Sequence, residues 1–248
     1  LHLPPAVRAL SEAQRVAVFS CNVCANLNGT GGKRGLKQMK RLLKKWGKEI
    51  LVARTVNVCC SEEIMRQCLR IFIEPVKERC DALIMLSCAG GVKCAFFCDP
   101  GIPVVAALDS FGSGVITTSM EPLDAGICQS CDHCVLTWTG GICPLAGCPA
   151  KKRYGPCKKA PVEGIACGIE PDRECVWKKI EKKGDLAALA AMAEIHGRKD
   201  YERISPAAFN GSPGLVRKTS GWFMARMPGI SGLIDLIRKR EFGAGDTI

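Results

Sequence analysis

Seventeen cysteines among 248 residues, several of them spaced two residues apart, are the groups in this chain best suited to do chemistry. Cys128-Gln-Ser-Cys131-Asp-His-Cys134 sets three thiols at C-x2-C spacing. That spacing lets three thiolates converge on one iron–sulfur cluster, as in the ferredoxin-type run. Cys143-Pro144 echoes the proline that follows the fourth ligand of such a run, although eight residues separate Cys134 from Cys143. Cys148, Cys157, Cys167 and Cys175 bring the stretch to eight cysteines, enough for two four-ligand sites. Structural zinc also uses C-x2-C pairs, usually one pair with another. The triple spacing suits a four-iron cubane better, and zinc is the alternative.

Cys21-x-x-Cys24 is a weaker motif. It lacks the proline-containing dipeptide and the immediate helix of a thioredoxin-like pair, but with Cys60 and Cys88 it makes a further four-cysteine site. The plainer reading is buried thiols at strand ends. Cys59, Cys68, Cys80, Cys94 and Cys98 are assigned to packing; Cys68 sits among Ile64, Leu69, Ile71 and Phe72, where cysteine behaves as a small hydrophobe. His2, His133 and His196 are the only histidines. They assemble no Ser-His-Asp or zinc-hydrolase set. The loop Asn28-Gly29-Thr30-Gly31-Gly32 fits neither a Walker A nor a dinucleotide fingerprint, since Arg34 stands where each would need another residue. It reads as a turn opening a helix. Trp138 and Tyr154 are read as core or loop packing rather than as cover for a cluster.

The compartment follows from what surrounds the thiols. The first residues carry no basic stretch leading into an apolar run and a small-residue cleavage site. No apolar run approaches the roughly 18 residues of a membrane span. A reducing cytoplasm is therefore expected, where thiols stay reduced unless a metal takes them. An odd cysteine count also argues against a purely disulfide framework. The formal charge of +11 would suggest an acidic or nucleic-acid partner. Metal-bound cysteines are thiolates and offset part of it, so nucleic acid is not the expected partner.

The elements that must position these cysteines alternate. Arg15 to Ser20, Ile50 to Val58, Ala82 to Ser87 and Pro103 to Leu108 read as strands. Leu36, Met39, Leu42, Leu43 and Trp46 recur at helical spacing between the first two. Ser61 is a candidate helix cap with Glu62 and Glu63 behind it, and Pro75 should end or kink that helix. Such alternation predicts an α/β, Rossmann-like parallel sheet covered on both faces. Ligands bind beyond the carboxyl ends of such strands, and Cys21, Cys24, Cys60 and Cys88 lie just past the ends of the first three. From about Met120 the periodicity fades, and the eight cysteines crowd among Gly and Pro in a loop-dominated segment with too little apolar material for its own core. Ligation is expected to organise it. Helical texture returns from Glu181 to Ile195. The tail is rich in Gly and Pro before a short amphipathic stretch, Ile230 to Phe242. The expected divisions are 1–118 (α/β), 119–204 (cysteine-rich) and 205–248 (C-terminal extension).

Several stretches together resemble one family. Ser20-Cys21-Asn22-Val23-Cys24-Ala25 and Cys128-x-x-Cys131-x-His133-Cys134-Val135-Leu136 are similar to the cysteine-rich small subunit of acetogen-type methylenetetrahydrofolate reductases. So are Thr139-Gly140-Gly141-Ile142-Cys143-Pro144, Cys148-Pro149, Gly155-Pro156-Cys157 and Pro171-Asp172-Arg173-Glu174-Cys175-Val176-Trp177. The likeness covers roughly residues 15–195 and departs at Lys158-Lys159, where the family continues with glycines. It implies a subunit without flavin that binds two or three 4Fe-4S clusters, with zinc an alternative at one site. The implied partner is a flavin-containing catalytic subunit that reduces methylene-tetrahydrofolate. The implied electron donor is a ferredoxin or a heterodisulfide-reductase-like complex. Carried over position by position, Cys21, Cys24, Cys60 and Cys88 match one family set; Cys128, Cys131, Cys134, Cys143, Cys148, Cys157, Cys167 and Cys175 match the other. Spacing does not divide the eight between sites. A zinc-stabilised scaffold subunit and a basic zinc protein binding nucleic acid are the competing readings.

Overall fold

A computed structural model gives the fold of residues 10–27, 30–110, 128, 131 and 133–196. All of these belong to a compact unit spanning Leu1–Arg203; a second unit, Ile204–Ile248, lies outside the described residues. The amphipathic stretch expected from Ile230 to Phe242 falls there too.

Four strands, β1 (Arg15–Cys21), β2 (Glu49–Val56), β3 (Ala82–Leu86) and β4 (Val104–Ala106), form one parallel sheet in the order β2-β1-β3-β4. The expected α/β architecture is present. The two central strands are apolar on both sides because both faces of the sheet are covered. Ala17 and Phe19 of β1 with Leu83 and Met85 of β3 face one core. Val16 and Val18 with Ala82, Ile84 and Leu86 face the other. The second face is covered by α2 (Gly32–Lys45), whose Leu36, Met39 and Leu43 fall on one side at helical spacing; Leu42 and Trp46, expected with them, lie at the edge of that side and are exposed. Gly32, with φ +61, opens that helix, as the glycine-rich turn predicts; the one-turn helix α1 (Cys24–Leu27) precedes it, so a short helix does start at the Cys21-x-x-Cys24 pair where none was expected.

The first face is covered by α3 (Glu62–Cys68) and α4 (Ala89–Cys98). Ser61 stands at the cap position of α3, but its hydroxyl makes no cap bond. Glu62 pairs instead with Arg66 one turn on, at 2.9 Å. The helix then loosens into a π-helical turn (Leu69–Ile73) and tightens into a 3-10 turn (Glu74–Arg79). Pro75 at the start of the 3-10 turn supplies no backbone N–H, which accounts for the expected break.

Asp81 ties the start of the sheet together. Its carboxylate accepts the N–H of Arg15 at 2.7 Å, the Arg15 guanidinium at 3.0 Å and the N–H of Gln14 at 2.9 Å. These bonds, the Arg15 N–H foremost, hold its pKa at about 2, below the unfolded value of about 3.9. A depressed carboxyl pKa stabilises the fold above the unfolded value, and that contribution is lost as pH falls through the folded one. The urea midpoint should therefore fall between about pH 4 and pH 2, and Asp81→Asn should flatten that part of the profile. An unchanged slope would exclude Asp81 as its source.

The cysteine-rich segment differs from expectation in two ways. It has a core: Val135, Ile142, Val176, Trp177, Ile180, Leu189 and Met192 are buried together with Cys148, Cys167 and Cys175. Its members come from two short helices separated by a turn and from loop residues such as Val135 and Ile142, so no single long periodic run marks it. In addition, the single helix expected from Glu181 to Ile195 is two, α6 (Val176–Lys183) and α7 (Leu186–His196), after a short α5 (Pro144–Gly147). Gly184 leaves the helix in extended conformation. Asp185 then caps α7, its carboxylate accepting the N–H of Ala188 at 2.9 Å.

Candidate metal centres

The first group of cysteines sits where the strand order reverses. β2 flanks β1 on one side and β3 on the other, so the crevice beyond the carboxyl ends of β1 and β3 is the topological switch point of the sheet. Cys21 closes β1, Cys88 caps α4 just after β3, and Cys60 lies in the turn after β2. The three are brought together, each within charge–charge reach of the other two. Burial, joined by the Cys88 and Cys21 charges, pushes the Cys60 thiol up to about 12. The backbone of Cys24 opens α1 three residues after Cys21; its side chain lies outside the described part.

Cys59, read from sequence as packing, is the immediate neighbour of Cys21. Its thiol donates a hydrogen bond that holds Cys21 at about 6, against the upward push of burial and with help from the N–H groups of Cys59 and Val23. Cys59 is itself fully buried and held well above its ordinary value, first by that bond. Only its position beside Cys60 hinted at this. Gly91 makes the arrangement compatible with α4: a Cβ there would meet the Cys59 Cβ at 2.6 Å and strike the Ser87 hydroxyl. That hydroxyl is buried without a hydrogen-bond partner. Cys68, Cys80, Cys94 and Cys98 are buried in the same core, as the packing reading expects.

The second group lines a cavity. Cys128, Cys131, Cys134 and Cys143 line it with Ala89, Ser110, Val135, Leu136 and Leu145, and it is partly open to solvent. The Cys134 N–H donates to Asp109 at 2.9 Å and the Ala89 N–H to the Ser110 hydroxyl at 3.0 Å, so the loop after β4 fixes one wall. Burial pushes Cys131 up to about 12, with Arg153 opposing it, and lifts Cys134 further. A metal that takes these sulfurs must displace their protons. Among the described residues, no group of three or more His, Cys, Asp or Glu side chains is set to hold a single metal ion. Cys128, Cys131, Cys134 and Cys143 share the lining of this cavity, four soft sulfur donors of the kind that a thiolate-ligated cluster or zinc takes.

The third group is Cys148, Cys167 and Cys175, buried with Trp177. Cys157 is half-buried in a turn closed by the Ala160 N–H on the Cys157 carbonyl at 2.9 Å, and Ala160 packs on the same group. The Cys167 N–H donates to Arg173 and the Cys175 N–H to Ile165, which draws two cysteines eight positions apart onto neighbouring backbone. Trp138 packs against this group, and Arg153 stacks on Tyr154 beside it. The indole N–H groups of Trp138 and Trp177 and the Nε–H of Arg153 are buried without partners. Buried donors are rarely left so, and thiolate sulfur is an acceptor they could use.

Residues 107–202 match the family model described as methylene-tetrahydrofolate reductase C terminal. All eight cysteines from Cys128 to Cys175 lie within the match, and the first group precedes it. The resemblance to this reductase C-terminal family therefore holds over the second and third groups. No curated protein and no solved structure matches the chain. No helix among the described residues is long and apolar enough to cross a membrane.

Proposed function

We propose that this chain is the iron–sulfur electron-transfer subunit of a methylenetetrahydrofolate reductase and relays electrons to the flavin of a partner catalytic subunit. The reading is supported above all by the contiguity of the three cysteine groups. Cys88 belongs to the first group, while its neighbour Ala89 lines the cavity of the second. Val135 lines that cavity and packs within the third. Neighbouring groups thus share lining or adjacent residues, an arrangement that suits handing electrons from one group to the next.

Cys21, Cys24, Cys60 and Cys88 would hold one centre, Cys128, Cys131, Cys134 and Cys143 a second, and Cys148, Cys157, Cys167 and Cys175 a third. A cluster held there supplies a reversible one-electron couple whose potential depends on charge, hydrogen bonds to sulfur and exposure. The protein's own contribution is to exclude water with Leu136 and Leu145 and to set the Arg153 cation near Cys131. Unpartnered donors stand ready at the third group. No residue in this arrangement handles folate.

Iron and acid-labile sulfide in protein purified without oxygen test the reading. The expected yield is about 8–12 of each per chain, for two or three four-iron clusters, with visible absorption bleached by dithionite. Less than one cluster per chain, or stoichiometric zinc with a colourless protein, would replace it with the zinc scaffold.

A further inference from the structure

One buried hydroxyl at the first cysteine group has nothing to bond. Ser87 is completely buried, and its Oγ makes no hydrogen bond among the described residues. Buried hydroxyls are rarely left so, because their lost bonds to water are then not replaced. Ser20, equally buried at the end of β1, shows the ordinary solution. Its hydroxyl donates to the Gly32 carbonyl at 3.1 Å.

Strand register places Ser87 at the thiols. β1 and β3 pair in parallel up to Ser20 beside Leu86, so Cys21 and Ser87 are the next residues along. Side chains alternate across a sheet. Cys21 and Ser87 therefore share the face of Phe19 and Met85, while Ser20 lies on the other face, where it meets α2. Neighbouring strands run about 4.8 Å apart, which sets the hydroxyl beside Cys21. On its other side is Cys59: a Cβ on Gly91 would strike the Ser87 hydroxyl and come within 2.6 Å of the Cys59 Cβ. Cys88 is the next residue in the chain, and Cys60 is within charge–charge reach of both Cys88 and Cys21.

We propose that Ser87 donates its hydroxyl to a metal-bound sulfur of the centre held by the first cysteine group and, where that centre is an iron–sulfur cluster, raises its reduction potential. The inference rests on the electron-relay reading. Reduction adds one electron to the cluster and makes its sulfurs more negative, so a donor there favours the reduced state. The O–H bond stays intact and no proton moves. Ser20 has no such effect, because its hydroxyl is already committed to Gly32 on the opposite face.

Ser87→Ala and Ser20→Ala each delete one buried hydroxyl next to a cysteine of the group, and they should behave oppositely. The full chain, purified without oxygen, is taken through a redox titration followed by paramagnetic resonance; the first centre's component is the one that Cys60→Ala removes. Ser87→Ala should shift the reduction equilibrium of that component about tenfold towards the oxidised form, ~59 mV for one electron. The other components should stay within twofold, as should every component in Ser20→Ala. Thermal midpoints of protein stripped of metal report packing separately. There Ser20→Ala should melt lower, having lost a made bond, whereas Ser87→Ala should not; with metal bound, Ser87→Ala should melt lower too. An unshifted potential in Ser87→Ala, an equal shift in both variants, or a stripped Ser87→Ala that melts as low as Ser20→Ala would overturn the assignment. So would a Cys60→Ala chain that loses no component. In a chain that carries zinc, electron relay fails. There a midpoint lowered by Ser87→Ala only with metal bound supports the hydrogen bond, and an unchanged one overturns it.

Discussion

Cys131→Ala should remove about four iron atoms per chain, one cluster's worth, and Cys167→Ala should remove a different four. Cys131 lines the cavity with Cys128, Cys134 and Cys143, whereas Cys167 is buried with Cys148 and Cys175 around Trp177. The partition makes the two losses independent. The double variant should lose about eight iron atoms, and each single variant should delete a different component of the electron paramagnetic resonance spectrum. Loss of all the iron from either single variant, or of the same component from both, would mean that the eight cysteines share their ligands differently. Reconstitution should be more complete at pH 8 than at pH 6, because burial keeps the Cys131 and Cys134 thiols protonated and metal must displace those protons.

Trp177→Ala should be the most damaging single change to the folded cysteine-rich segment. The side chain is 1% exposed at the centre of that segment's core. Truncating a buried tryptophan costs about 3–5 kcal/mol. Small domains hold only about 5–15 kcal/mol of stability, so a large fall in the thermal midpoint is expected, together with poor cluster retention. Trp177→Phe separates packing from polarity. It keeps most of the ring volume and removes an N–H that has no partner, so the metal-free protein should lose only about 1–2 kcal/mol. A cluster-loaded protein supplies sulfur acceptors that the thiols lack. There the same change should also lower the midpoint potential of the third centre, since hydrogen bonds to sulfur favour the reduced, more negative state. An unchanged potential would leave Trp177 with packing alone.

Much of this molecule is legible along the chain because the relevant interactions are local. The apolar runs read as strands from Arg15 to Ser20 and from Ala82 to Ser87 are the two strands at the middle of the sheet, buried on both faces. Spacing set Leu36, Met39 and Leu43 on the packed side of α2, where they lie, but also Leu42 and Trp46, which are exposed. The C-x2-C triplet at Cys128, Cys131 and Cys134 announces a common site because a short loop cannot carry its thiols far apart. Cys94 and Cys98, one helical turn apart on a covered helix, are buried in the core, as their spacing suggested.

What the chain could not disclose depends on contacts between distant residues. Cys59 and Cys60 are adjacent and chemically identical, and only the course of the turn after β2 sets the Cys59 thiol against Cys21. The core around Trp177 escaped notice because it joins Val176, Trp177 and Ile180 of one short helix to Leu189 and Met192 of another and to Val135 and Ile142 in loops. Composition, periodicity and cysteine spacing by themselves determined a parallel α/β sheet, thiols past its strand ends, and a second cysteine cluster rich in Gly and Pro. Strand order was decided by tertiary pairing, and it is the reversal between β1 and β3 that makes their ends a crevice. The tertiary structure also divided the eight C-terminal cysteines into a cavity and a core, and set Ala89 and Val135 between the groups. Loop closure lets a thiol reach many partners at nearly the same entropic cost, so only the packed fold selects among them.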